Sequence, residues 1–470
     1  MNVPAIALAL LASAPRGGEG ASVFVSAPPL ARAEAAQLVV HPLSGAPADG
    51  ARYPRLALGG DGVLRVAFTA PVASDEGEPA EHAVRYASVG ADGFGPTSEL
   101  ERGPDHFVNW ADAPLVTADT AGRVFGAWLR TSGAGPYAYG VQIHAGGAGA
   151  RRLHDDDGAG EHGFVSLVPG AGAGDVDAVW LDGRATAGGH GGHDAHGGHG
   201  GSAMQLRTRR VSLERDGEAE TAALGPELLL DDRVCDCCQT SAARLADGTL
   251  VVAYRDRGDD ERRDVSFVRV RESAFGAPTA SAPAPVANDG WIIEGCPVNG
   301  PELVARGDRV ACVWFTEAPS PRVNVAVSSA GAESFGAPLC VAARKSAPKT
   351  DEGVDPEGAD LDGTDLDGTG GRASVAWLAD GSLLVTYFVE TDFDAGRAEW
   401  RVRRLTFDGE ALAFAGGPTT LAAVDSSRRS GFARIAALPG EGADAVAVWT
   451  DVDDGYALRA ARVSPAAGGR

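Results

Sequence analysis

Three of the chain's six cysteines stand within four positions, as Cys235, Cys237 and Cys238 in "DDRVCDCCQTSAARL", and a fourth, Cys296, follows in "DGWIIEGCPVNGP". Thiolates are soft ligands that select zinc, copper(I) or an iron–sulfur centre over magnesium or calcium. The spacing is Cys-x-Cys-Cys plus a distant single Cys, unlike the paired Cys-x-x-Cys knuckles of a zinc ribbon, so it marks a cluster without naming the metal. Two other chemistries fit the same residues. In an exported chain an even set of cysteines also makes disulfides, with Cys296 pairing one of the three, and a clustered thiol can serve as a nucleophile. The remaining two, Cys312 and Cys340, fall on the second and fourth strands of one repeat. Two strand spacings put them about 9.5 Å apart, beyond disulfide reach, and buried free thiols are expected.

Other donors surround this cluster in the sequence. His190, His193, His196 and His199 recur every third residue in the Gly-rich tract "GGHGGHDAHGGHGG", close to Met204. Imidazole and thioether both bind copper, and a flexible His tract can capture a metal for a tighter thiolate site; the alternative is a low-complexity insertion without a role. Asp360, Asp362, Asp365 and Asp367 in "ADLDGTDLDGTGG" suit calcium but lack the distal Glu of an EF-hand, and a solvated acidic loop fits them as well. In "RDRGDDERRD", Arg255, Arg257 and Arg263 can clamp a carboxylate ligand or pair with Asp256, Asp260 and Asp264.

The elements that must position these groups repeat along the chain. Second strands such as "RVFGAWLR", "VDAVWLDG" and "RVACVWFT" carry aromatic anchors at Phe68, Trp128, Trp180, Tyr254, Trp314, Tyr387 and Trp449, spaced by 52 to 74 residues. Each interval holds about four strands and their turns, and helical apolar spacing is missing between them. An all-β, seven-bladed β-propeller is expected, with six blades plus a lateral strand pair as the alternative. The last unit is one strand short, and "AQLVVHPL" (36–43) near the N-terminus has no partner. The expectation is that it closes the ring as the outer strand of the last blade. Residues 36–470 then form one domain, with flexible insertions near 188–201 and 351–371. On one face of such a ring the loops leading into the blades gather Cys235, Cys237, Cys238, Cys296, Asp105, His106 and His162, and the loops between second and third strands add the His tract and "TDVDDGY".

Composition narrows the partners. A formal net charge of -23 argues against nucleic acid, whose binding needs a concentrated cationic surface, and against anionic lipid. After an apolar run at Ala5–Ala12, Ala12-Ser13-Ala14 resembles a signal-peptidase site, although the preceding residues lack Lys or Arg. Residues 1–35 are therefore expected to be a signal-like or disordered segment and the protein to be periplasmic or secreted. No later stretch approaches the roughly 18 uninterrupted apolar residues of a membrane span.

The segments "SSAGAESFGAP" and "ASVGADGFGP" resemble the Asp-box (BNR) repeats of sialidase-like propellers, with the Asp missing or shifted. "CDCCQTS" and "CPVNGP" resemble a group of bacterial secreted proteins usually labelled exo-alpha-sialidase. True sialidases resemble one another in an arginine triad for the substrate carboxylate, a Tyr nucleophile backed by Glu, and an Asp acid/base. The resemblance places Arg55 of "YPRLAL" at a triad position, with Pro before the Arg instead of after it, and assigns no other member. Three functions follow as expectations: a propeller binding copper or zinc through Cys235, Cys237, Cys238 and Cys296 with the His tract as accessory ligand; a sialidase-type glycoside hydrolase; and a disulfide-braced scaffold for a glycan or protein ligand.

Overall fold

Short apolar strands separated by Gly-containing turns bury their faces most economically by stacking one small sheet on the next. The computed structural model of the protein describes residues 37–73, 81–133, 135, 138–157, 160–186, 203–217, 219–273, 276–344, 364–440 and 442–466. Seven antiparallel sheets follow one another along the chain. Their first strands are Arg52–Leu58, Leu115–Ala118, His162–Pro169, Ser241–Arg244, Glu302–Arg306, Gly371–Trp377 and Arg434–Ala437, and each touches the next around a closed ring. This is a seven-bladed β-propeller, and the six-bladed alternative does not hold. Among the described residues the only helical turns are three 3-10 segments, and no helix is long and apolar enough to cross a membrane.

Every aromatic anchor read from the sequence lies on the second strand of its blade and is buried. Trp180 and Trp314 are fully enclosed, and burying a large apolar side chain of this kind contributes roughly 1.5–3 kcal/mol. The ring closes as expected. Leu38–Pro42 pairs antiparallel with Ala457–Pro465, with His41 opposite Arg462, so strands from both ends of the chain share blade 7.

Two details differ from the sequence reading. Blades 1, 3, 4 and 6 have an outer strand broken in two, as in blade 3, where Ala219–Leu224 and Leu228–Val234 both pair with Met204–Asp216. The twist of a long third strand is followed by two short partners better than by one straight one. The insertion placed at 351–371 also ends sooner. Asp365 bridges to Ala342 and Asp367 to Arg344, so the chain has already rejoined the sheets there.

Inner strands are joined by a recurring latch. Tyr53, Phe164 and Arg372 adopt left-handed φ of 58°, 54° and 49° at bulges in the first strands of blades 1, 3 and 6. Each presents its N–H to a side chain from a neighbouring blade or loop: Thr450 Oγ1 at 2.9 Å, Asp112 Oδ2 at 2.5 Å and Asn299 Oδ1 at 2.7 Å. These bonds satisfy donors that the bulges remove from the ladder.

Candidate metal centre

The loop between Leu228–Val234 and the first strand of blade 4 carries Cys235, Cys237 and Cys238. Cys235 N–H donates to Arg255 O at 3.0 Å, and Asp236 accepts from Met204 N–H at 3.2 Å and from Arg257 Nη1 at 2.9 Å. Held this way, Cys235 Sγ lies 3.1 Å from Cys238 Sγ and 4.0 Å from Cys237 Sγ. Cys235 and Cys238 are buried and Cys237 is half-buried. All six cysteines are free thiols.

Cys296 arrives on the loop leading into blade 5. It is exposed and lies close enough to Cys237 for each thiol to shift the pKa of the other. Arg255 ties the two loops together. Its guanidinium, 1% exposed, donates to Asn299 O at 3.0 and 2.7 Å, to Arg263 O at 2.5 Å and to Phe315 O at 2.6 Å, and it lies 4.8 Å from the Trp291 ring centre. Three of the four thiols named by the sequence, Cys235, Cys237 and Cys238, lie within 4.8 Å of one another, and Cys296 borders that group on the side of Cys237.

The electrostatics favour a thiolate. Burial raises the pKa of Cys235, but hydrogen bonds from Cys237 and Cys238 and the charge of Arg263 outweigh it and hold the group well below the ordinary thiol range. Cys296 is lowered by its bond with Cys237. Cys237 is raised, because its bonds to Cys235, Cys238 and Cys296 favour the protonated form, and burial raises Cys238. Arg263 is 3% exposed, and its Nε and Nη1 have no hydrogen-bond partner. Asp236 and Arg263 are the partners that the cysteine pattern alone did not single out. Asp236 sits inside the motif, and Arg263 had stood among the candidates for a carboxylate clamp.

The other candidate residues are placed as follows. Arg257 and Arg263 pair with Glu261, and Arg262 with Asp260, so these arginines engage acids of their own loop, with two nitrogens of Arg263 left over. Cys312 and Cys340 are buried on the second and fourth strands of blade 5. Asp365 accepts from Tyr387 Oη at 2.8 Å and from Arg401 Nη1 at 2.9 Å, and Asp367 from Arg401 at 2.7 Å; a cation there would have to displace Arg401. Asp360 and Asp362 lie outside the described residues, as do His190, His193, His196 and His199 and residues 1–35. The tract's flanks are described. It leaves blade 3 after Asp182 and Arg184 and returns at Met204, whose N–H meets Asp236.

Arg55 lines a central cavity of about 490 Å³ together with Gln239, Glu302 and Arg434. Its Nη1 donates to Val165 O at 2.8 Å, and burial and the charge of Arg434 push its pKa down to about 10. Arg434 is paired with Glu302 at 2.5 Å, and Arg372 donates to Ser427 O, Ser430 Oγ and Gly431 O. A Tyr–Glu pair is present at Tyr139 and Glu161, but Tyr139 is 3% exposed and stacked at 4.2 Å on Phe107.

No family model and no curated protein matches the chain. Among solved structures, a protein of unknown function from Dyadobacter fermentans DSM 18053 is similar over 77% of this chain and 97% of its own, at 11% identity and a TM-score of 0.43. Trypanosoma rangeli sialidase is similar over 84% of this chain and 57% of its own, at 11% identity and a TM-score of 0.41. For the leech intramolecular trans-sialidase the figures are 86%, 65%, 11% and 0.39. The chain therefore spans less than two thirds of the length of those two enzymes. The seven sheets establish the propeller on their own, and at this identity the likeness to sialidases is one of fold.

Proposed function

We propose that this propeller is a soft-metal-binding protein that holds copper or zinc at Cys235, Cys237, Cys238 and Cys296, outside the cytoplasm. One observation carries the reading: three sulfurs of one lead-in loop converge, with Cys235 Sγ at 3.1 and 4.0 Å from its two neighbours, and Cys296 on the next lead-in loop, whose thiol is lowered by Cys237, would supply the fourth. A tetrahedron with Zn–S bonds of about 2.3 Å has edges of about 3.8 Å. The Cys235 to Cys237 distance fits it already, while Cys235 and Cys238 must part by about 0.7 Å to reach that edge. Arg263 beside Cys235 balances part of the charge that several thiolates bring, and the exposed Cys296 leaves the site reachable from solvent. The His tract, rooted beside Asp236, would capture metal and pass it to the thiols. The arginines of the inner strands are bonded within the protein, and Tyr139 is covered, which does not favour the hydrolase reading.

The test is metal analysis with a free-thiol count on protein purified without a His-affinity column, followed by copper(I) titration. The expected result is one equivalent bound tightly at the thiols and lost in Cys238→Ser. Four oxidised cysteines and no bound metal would remove the proposal in favour of disulfide bracing. Deleting residues 188–201 is expected to slow loading and to reduce the copper stoichiometry.

A further inference from the structure

A second group of donors, sharing no residue with the cysteine cluster, lies where blade 2 passes into blade 3. His154 and Asp156 stand on the connecting loop, His162 opens the first strand of blade 3, and Asp182 ends its second strand. His154, Asp156 and His162 each present a ligand atom within 4.8 Å of the others. His154 is 5% exposed, and His162 and Asp182 are 0% exposed.

The hydrogen bonding of this group is incomplete in a directed way. His154 Nδ1 lies 2.8 Å from Asp156 O, and His162 Nδ1 lies 3.2 Å from Gly160 O. A carbonyl can only accept, so both Nδ1 atoms carry the proton and both Nε2 atoms of the neutral rings carry a lone pair. Among the described residues, those two Nε2 atoms and Asp156 Oδ2 are buried without a hydrogen-bond partner. Leaving buried polar atoms unpaired costs about 1–3 kcal/mol each, so three in one place call for an occupant. Imidazoles that ligate metals are oriented by this same Nδ1–H to carbonyl contact.

The distances suit an ion. His162 Nε2 is 3.3 Å from Asp156 Oδ2 and 3.5 Å from Asp182 Oδ1, poorly aligned for hydrogen bonds but close to the edge of a tetrahedron. Four N and O ligands at about 2.0–2.1 Å from zinc are separated by about 3.3–3.4 Å. The rings of His154 and His162 stack at 3.7 Å with an interplanar angle of 2°, so a shared ion requires one ring to rotate out of the stack until the two in-plane lone pairs converge. Space is kept beside His154 Nε2 by Gly140, where a Cβ would come within 2.7 Å of it. Asp182 is fixed by Trp180 Nε1 at 2.8 Å and by Arg184 at 2.7 Å, and Asp155 anchors the loop through Arg209 at 2.8 Å.

We propose that His154, Asp156 and His162, with the Arg184-paired Asp182 beside them, form a second and separate binding site for a borderline divalent cation such as zinc, which clips the blade 2 to blade 3 crossover onto blade 3. Two imidazoles and a carboxylate make a harder donor set than the thiols, so the sites sort metals by softness. No residue is shared between them, and either can fail without the other.

The experiment uses cobalt(II) as a zinc probe on the chain lacking residues 188–201, which removes the competing histidines. The cysteine site announces itself by thiolate-to-cobalt charge transfer in the near ultraviolet. The proposed site contributes visible bands without it. The expected result is that His162→Gln and Asp156→Asn each lose one cobalt equivalent and the bands that lack charge transfer, while Cys238→Ser retains both. Persistence of those bands in both variants, or their absence from the parent chain, overturns the site. Zinc X-ray absorption on the parent chain needs no variant to fold: scattering from two imidazoles per bound nitrogen-site ion supports the proposal, and a shell without imidazole removes it.

Discussion

Cys235 and Arg263 make each other's burial tolerable. A buried thiolate and a buried guanidinium would each be costly alone, and their attraction together with the thiol donors of Cys237 and Cys238 offsets that cost. Arg263→Met should therefore raise the pKa of Cys235 and slow its alkylation near neutral pH by several-fold, since the thiolate is the reacting species. The pH profile of iodoacetamide labelling, read by mass spectrometry at Cys235, checks this, and a profile unchanged from the parent would mean that the cation does not act on the sulfur. The cysteine spacing made the cluster visible in the sequence, whereas Arg263 looked like one arginine among several. Its role depends on which way a folded loop turns it. The same holds for His154, whose partner His162 is separated from it by a loop that no local pattern identifies as a ligand frame.

At the level of strands and loops, the latch between Asp112 and Phe164 couples packing to pH. Burial pushes Asp112 up to about 6, against the N–H of Phe164 and the charge of Arg55, which lower it. A carboxyl whose pKa is higher folded than unfolded binds more protons in the folded state. Its stabilising contribution is present below about pH 4 and is lost as the pH rises through about 6. Two units correspond to at most about 3 kcal/mol. Asp112→Asn keeps an acceptor for Phe164 and removes the charge, so the variant should gain stability relative to the parent between pH 4 and pH 7. Urea titrations at both values measure it; parallel pH dependence of the two proteins would show that Asp112 is not the group responsible. The bulges themselves were not legible, because a left-handed φ at Tyr53, Phe164 and Arg372 follows from no glycine signal and is imposed by the ring.

Across the whole molecule, the ring is closed by strands from both ends of the chain. Removing residues 1–45 deletes Leu38–Pro42 and leaves Ala457–Pro465 as an open edge. The melting temperature should fall by roughly 5–10 °C, with aggregation on heating, if a few kcal/mol of pairing and packing are lost; calorimetry showing an unchanged transition would mean that blade 7 closes without this strand. The sequence alone determined the all-β repeat, with seven blades favoured over six, the anchors from Phe68 to Trp449, the terminal closure and the four thiols of interest, because these depend on alternation, periodicity and residue chemistry carried within short segments. Only the tertiary structure decided that Cys296 comes beside Cys237, that the charge of Arg263 acts on Cys235, and that His154, Asp156 and His162 converge. Those contacts join loops from different strands and blades, and their geometry is set by how the sheets stack around the ring, which no single segment encodes.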